Sequence, residues 1–153
     1  MKTPMTRSAL RAALRPLLPA IAEWEMKPDT IPLALKRAGY RHLPWSQLGI
    51  ERDVLIGPRI VLKSQSWNDA SSPRYRRSRV LCPTIRVAEH VIAQPRGICI
   101  ATRWGLDDDS IPPRIWHPMV RAMQVAARAY DIHDDHPGNY AVFPDRTIRC
   151  IDY

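Results

Sequence analysis

Fifteen prolines are spread along 153 residues. A proline fixes φ, offers no backbone N–H and biases the residue before it away from helix, so each one ends or bends a regular element. A chain this rich in proline is expected to fold as short helices and strands joined by many turns. Its apolar share of 45% is enough to build a buried core and argues against global disorder. The length suits one compact domain or two small lobes. No apolar run approaches the roughly 18–20 residues of a membrane span.

The first stretch, MKTPMTRSALRAALRPLLPAIAEW, has basic residues around an apolar middle, as targeting segments do. Arg11 and Arg15 interrupt the apolar run and no small-residue cleavage site stands out, so an amphipathic first helix is the better reading. Residues 6–25 are expected to be helical. Thr6 or Ser8 would be the N-cap, and Leu10, Leu14, Leu17, Leu18 and Ile21 keep helical spacing. Pro16 and Pro19 would kink or split this helix. A turn at MKPDT follows, then a short helix in IPLALKRAG closed by Gly39 as the residue after the C-cap.

The middle of the chain is β-prone. DVLIG and RIVLK, residues 53–57 and 59–63, read as a hairpin. TIRVAEHVIA and GICIATRW, separated by QPRG, read as a second hairpin, and YAVF with TIRCI as a third. Between the second and third, GLDDDSIPP is a strong helix start. Residues 114–130 carry Ile115, Met119, Met123, Ala126, Ala127 and Tyr130 on one face. The fold class expected is therefore α+β with antiparallel strands.

Lys and Arg exceed Asp and Glu by 23 to 15, a formal charge of +8. Such a balance favours anionic partners: nucleotide phosphates, nucleic acid or an acidic protein. Arg74, Arg76, Arg77 and Arg79, with Tyr75 among them, form the densest basic patch. That mixture suits a solvated loop, an acidic protein, or backbone phosphates with base stacking. The cysteines, Cys82, Cys99 and Cys150, are odd in number and form no paired motif. This fits buried thiols in a reducing, cytoplasmic setting better than a disulfide framework.

The residues that carry chemistry are concentrated in IHDDHPGNYAVFPDRTIRCIDY, residues 132–153. Asp134, His136 and Asn139 fall within six residues, with Pro137 and Gly138 between them to turn the chain. If the next two strands pair, Asp152 returns towards Asn139. A carboxylate and an amide oxygen are hard-oxygen donors suited to Mg²⁺. Asp134 is a second carboxylate, placed to accept a proton. Zinc held by His133, His136 and Cys150 is a weaker alternative. His136 more simply supports the loop through a hydrogen bond. Metal, base and basic surface together point to phosphoryl transfer.

This string resembles the catalytic loop of the protein-kinase-like superfamily, especially its aminoglycoside and choline phosphotransferase branch. Members carry a His-Gly-Asp-x-His-x-Gly-Asn type loop, a hairpin, then Ile-Asp followed by an aromatic residue. This chain has Ile132-His133-Asp134-Asp135-His136-Pro137-Gly138-Asn139 and then Ile151-Asp152-Tyr153. Ile132 stands where the family has its first His. The resemblance implies Asp134 as catalytic base, with Asn139 and Asp152 as metal ligands. It also implies ATP and Mg²⁺ as cofactors and a hydroxyl as phosphate acceptor. RIVLK is similar to the strand bearing the phosphate-binding lysine, which makes that residue Lys63. GICIATRW is similar to the last strand of the small lobe plus the hinge, with Ala101 and Arg103 beside the adenine. Glu89 is the nearest partner for Lys63, and LGIERDVLIG, with Gly49 and Gly57, stands where the family has its glycine-rich loop.

The resemblance implies a reduced kinase-like fold. Residues 1–43 would be an N-terminal helical extension, 44–104 a small antiparallel-sheet lobe, and 105–153 a truncated helical lobe. In this it is similar to short kinase-like proteins of bacteriophages. Three functions are open at this point. One is an ATP- and Mg²⁺-binding phosphotransferase. Another is a pseudokinase without turnover that binds a protein or nucleic acid through the Arg74–Arg79 face. The third and weakest is a basic nucleic-acid-binding protein whose loop merely resembles a kinase's. A homodimer could supply surface that the reduced lobe lacks.

Overall fold

The structure, a computed structural model, describes residues 5–42, 54–64, 82–99, 113–130, 140–143 and 148–150. They form an α+β fold with antiparallel strands. The chain divides into two compact units at the Arg96–Gly97 bond.

The first unit opens with α1, Arg7–Leu14. Its N-cap is Thr6, whose hydroxyl accepts the Ala9 N–H at 3.1 Å and so satisfies one of the helix's unpaired amides. Pro16 then tightens Arg15–Leu17 into a 3₁₀ turn, and α2 follows at Leu18–Met26. The expected single helix is thus split where its prolines fall. The tighter turn also changes which side chains face inward, because a 3₁₀ turn has about 3.0 residues against 3.6 in the α-helix. Leu10 and Leu14 are buried before it, Ala20, Ile21 and Trp24 after it, while Leu18, expected on the buried face, is turned out to solvent.

Helix α3, Leu33–Arg37, ends on Gly39 at φ 89. The Gly39 N–H donates to Lys36 O and the Tyr40 N–H to Leu35 O, both at 3.0 Å. This pair of bonds closes the helix through a left-handed residue, a conformation that only glycine adopts without strain.

Five strands complete this unit: β1 Arg41–His42, β2 Val54–Ile56, β3 Ile60–Ser64, β4 Ile85–Arg86 and β5 Val91–Pro95. Their order is β1-β2-β3-β5-β4, with every neighbouring pair antiparallel. The β2–β3 hairpin is the one expected from sequence. One face of the sheet presents Leu55, Ile60, Leu62, Ile85, Val91 and Ala93 to a core shared with Leu10, Leu14, Ile21, Trp24 and Leu35 of the helices. Each of the leucine, isoleucine and valine side chains contributes roughly 1.5–3 kcal/mol by leaving water. The helices before residue 43 are therefore built into the core of the sheet.

The expected second hairpin is not formed. TIRVAEHVIA is itself a hairpin, β4 pairing with β5 in the register Ile85↔Ala93 and Arg86↔Ile92. The Val87 and Ala88 N–H groups both turn back to Val91 O. Glu89 accordingly lies in a turn, its exposed carboxylate 3.8 Å from the His90 ring. GIC belongs elsewhere, to the second unit.

That second unit contains β6 Ile98–Cys99, α4 Pro113–Tyr130, β7 Tyr140–Val142 and β8 Ile148–Cys150. The helix is the one expected, running through Pro118 with Met119 fully buried. The three strands form a sheet ordered β6-β7-β8. The β7–β8 hairpin is also as expected, in the register Tyr140↔Cys150, Ala141↔Arg149 and Val142↔Ile148. Helix α4 packs on β8. No helix among the described residues is long and apolar enough to cross a membrane.

Candidate functional site

The sequence places its chemistry in two places, one in each unit. In the second unit, helix, loop and hairpin follow one another. Helix α4 ends at Tyr130 and β7 begins at Tyr140. The nine residues between them, 131–139, hold Asp134, His136 and Asn139. Their own placement lies outside the described residues, as does that of Asp152.

The described residues around them are well tied. Ala141 and Phe143 are buried, and the Arg149 guanidinium sits 5.4 Å from the centre of the Phe143 ring. A cation over an aromatic face adds roughly 0.5–1 kcal/mol at an exposed site. The register pairs Tyr140 with Cys150 at the end of the hairpin. Asn139 is the residue before Tyr140, and Asp152 is two residues beyond Cys150. Tyr140 and Cys150, the strand residues that the chain reaches directly after Asn139 and two positions before Asp152, are therefore paired across adjacent strands.

In the first unit, Lys63 lies on β3, flanked by β2 and β5, with Val54 and Ile92 directly opposite. The strand alternates, with Ile60, Leu62 and Ser64 buried and Val61 and Lys63 half-buried on the other face. Lys63 thus extends from the face opposite the helical core. The turn that starts its strand is held from a distance. The Arg96 guanidinium donates to Gly57 O at 3.1 Å and the Arg96 N–H to Arg59 O at 2.8 Å. Sequence reasoning missed Arg96, because nothing local marks it. Only the pairing of Ile60 with Pro95 brings it beside the turn.

Gly57 has a packing role in that turn. Its N–H donates to Ile60 O at 2.9 Å. A Cβ there would stand 2.6 Å from the ring of Tyr40. Tyr40 is buried, and burial pushes its phenol from 10.0 up to about 12.

The strand chosen for the hinge needs correction. Ile98 and Cys99 pair with Val142 and Ala141, so GIC is not the last strand of the five-stranded sheet. That position belongs to β5. The sequence reading failed because an alternating run shows which face a strand buries and not which strand it joins. Ala101 and Arg103, assigned to the adenine from that strand, lie outside the described residues. So do Gly49 and the basic residues Arg74, Arg76, Arg77 and Arg79. Among the described residues no group of three or more His, Cys, Asp or Glu side chains converges. Set against known protein families, curated proteins and solved structures, the chain matches none.

Proposed function

We propose that this chain is a kinase-like protein that binds ATP with Mg²⁺ and moves the γ-phosphate to a hydroxyl acceptor. The observation that carries the reading is the β7–β8 hairpin in the register Tyr140↔Cys150. It follows helix α4 and the Asp134–Asn139 loop, and it pairs Tyr140, directly after Asn139, with Cys150, two positions before Asp152. Helix, loop, hairpin and acid occur in the order that the resemblance requires.

The donor set fits the metal. Asn139 offers an amide oxygen and Asp152 a carboxylate, the hard-oxygen chemistry that Mg²⁺ prefers over nitrogen or sulfur. When bound, the ion supplies positive charge beside the phosphates. Asp134 takes the proton of the acceptor hydroxyl as its oxygen bonds to phosphorus and ADP departs. Lys63 is assigned the phosphates by the resemblance. Its place on an inner strand, with a neighbour on each side, supports that assignment, because an inner strand holds its side chains rigidly. Reactions of this type depend mainly on positioning and charge neutralisation, which a small scaffold can provide.

The test is thermal stability with ATP, with and without MgCl₂, for the wild type and for Asp152→Ala. A ligand at ten times its Kd adds about 1.4 kcal/mol to the folded state, a rise on the order of 3–6 °C for a chain of this size. The expected result is a rise that needs Mg²⁺ and disappears in Asp152→Ala. No rise at saturating ATP would remove the nucleotide and leave a likeness of architecture only.

A further inference from the structure

We propose that Gln94 reads the base of the nucleotide, its side-chain Oε1 accepting a hydrogen bond from the exocyclic amine of adenine; this rests on the nucleotide reading above. Gln94 lies on β5 opposite Val61, and Ile92 lies opposite Lys63. Residues directly opposite in an antiparallel pair share a face. Gln94 and Lys63 are therefore diagonal neighbours, about 7–8 Å apart, on the face away from the helices. Gln94 is 2% exposed, and a buried amide is expected to be fully hydrogen-bonded. Its Nε2 donates to Thr84 Oγ1 at 3.1 Å, and Thr84 Oγ1 donates to Cys82 O at 2.9 Å.

The order of this chain of bonds fixes the amide. A backbone carbonyl only accepts, so the Thr84 hydroxyl proton is spent on Cys82. The hydroxyl then has lone pairs left for Gln94, which must present its N–H₂ there. Oε1 is thereby held as an acceptor of set direction. Among the described residues no hydrogen bond reaches it. It is not one of the polar atoms that the fold both seals from solvent and leaves unbonded, so it borders space that a ligand can enter. The other side chains of this face offer no competing acceptor. Val54, Val61 and Ile92 are apolar, which suits a flat ring, and Lys63 and Arg86 only donate. Gln94 leans towards β4 and away from Lys63, so phosphates at Lys63 leave the base against Gln94. Adenine carries an amine at position 6, which donates to Oε1. Hypoxanthine carries an oxygen there, which would face Oε1 lone pair to lone pair.

The experiment is isothermal titration of the full chain in MgCl₂ with ATP, with purine riboside triphosphate, which lacks only the amine, and with inosine triphosphate. Loss of one hydrogen bond at a built site is expected to weaken purine riboside triphosphate about tenfold against ATP, and inosine triphosphate should bind more weakly still. In Gln94→Met, which keeps the length of the stem, ATP and purine riboside triphosphate should bind alike. Thr84→Val removes the hydroxyl that orients the amide, so Gln94 can turn its N–H₂ to the oxygen of inosine, and the ATP preference over inosine triphosphate should narrow. A side chain with a packing role alone would change all three nucleotides together. Equal affinities for ATP and purine riboside triphosphate in the wild type would overturn the proposal while the nucleotide reading stood, and this comparison needs no variant to fold. A wild-type loss seen with 2′-deoxy-ATP and not with purine riboside triphosphate would overturn it in favour of a ribose contact. An amine preference that survives in Gln94→Met would overturn it as well. Binding of none of the nucleotides would overturn both readings at once.

Discussion

The carboxylate of Glu25 accepts the backbone N–H of His90 at 2.7 Å, across 65 positions of sequence. It ties the end of α2 to the turn between β4 and β5, which is where the alternating pattern of that segment breaks. Hydrogen bonds to a charged acceptor contribute about 1.5–3 kcal/mol, less when partly exposed. Glu25→Ala is therefore expected to lower stability by about 1–2 kcal/mol in urea unfolding, and Glu25→Gln, which keeps an acceptor oxygen, by less. Equal losses in the two variants would show that charge, and not the bond itself, holds the turn.

Gly39 should tolerate no side chain. Its φ of 89 is outside the range that L-residues adopt easily, and an added Cβ would meet Pro58 at 3.0 Å. Gly39→Ala is expected to cost about 1–2 kcal/mol, read as a lower urea midpoint with an unchanged slope.

Tyr40 makes stability fall at high pH. Its phenol ionises near 10.0 when exposed and near 12 in the folded chain, because burial disfavours the phenolate. Below pH 10 the folded and unfolded states both hold the proton and the group has no effect. Between pH 10 and about 12 only the folded state holds it, so stability declines as pH rises through that window. Tyr40→Phe should show a shallower decline over the same range, checked by melting temperature against pH. Gly57→Ala, which pushes a methyl group into the Tyr40 ring, should cost about 1–3 kcal/mol as overpacking and should lower the Tyr40 phenol pKa.

Lys63→Met is expected to reduce the Mg²⁺-ATP stabilisation while leaving the five-stranded sheet folded, since the methionine stem can replace the lysine stem between Val54 and Ile92. The melting temperature with and without nucleotide checks both statements. A full nucleotide response in this variant would take Lys63 out of the phosphate site.

What the sequence disclosed was local. The Thr6 cap, the break at Pro16, the Gly39 closure, the helix after Pro113 and two hairpins each rest on residues within a few positions of one another. Longer-range features were hidden. Leu18 faces solvent because a 3₁₀ turn shifted the helix phase. GIC joins Val142 and Ala141 because partners are chosen by the whole sheet. Arg96 and Glu25 act on turns remote in sequence. Of the candidate site, residues 131–139 and Asp152 lie outside the described residues. The described residues add the scaffold on either side of the loop and place Lys63 on an inner strand.

The division at Arg96 also bears on the order of assembly during synthesis. Every strand pairing of the five-stranded sheet is made within residues 41–95, and its helices precede it. The three-stranded sheet needs Ile98 to wait for Val142, and β7 to wait for β8. On the ribosome the first unit has all its partners before the second has any, as expected for units that fold in order from the N-terminus. Until Val142 emerges, β6 is a short unpaired strand following a finished sheet, and until Cys150 emerges β7 has no hairpin partner. Any activity that depends on that hairpin waits for β8, long after the five-stranded sheet has all its strands.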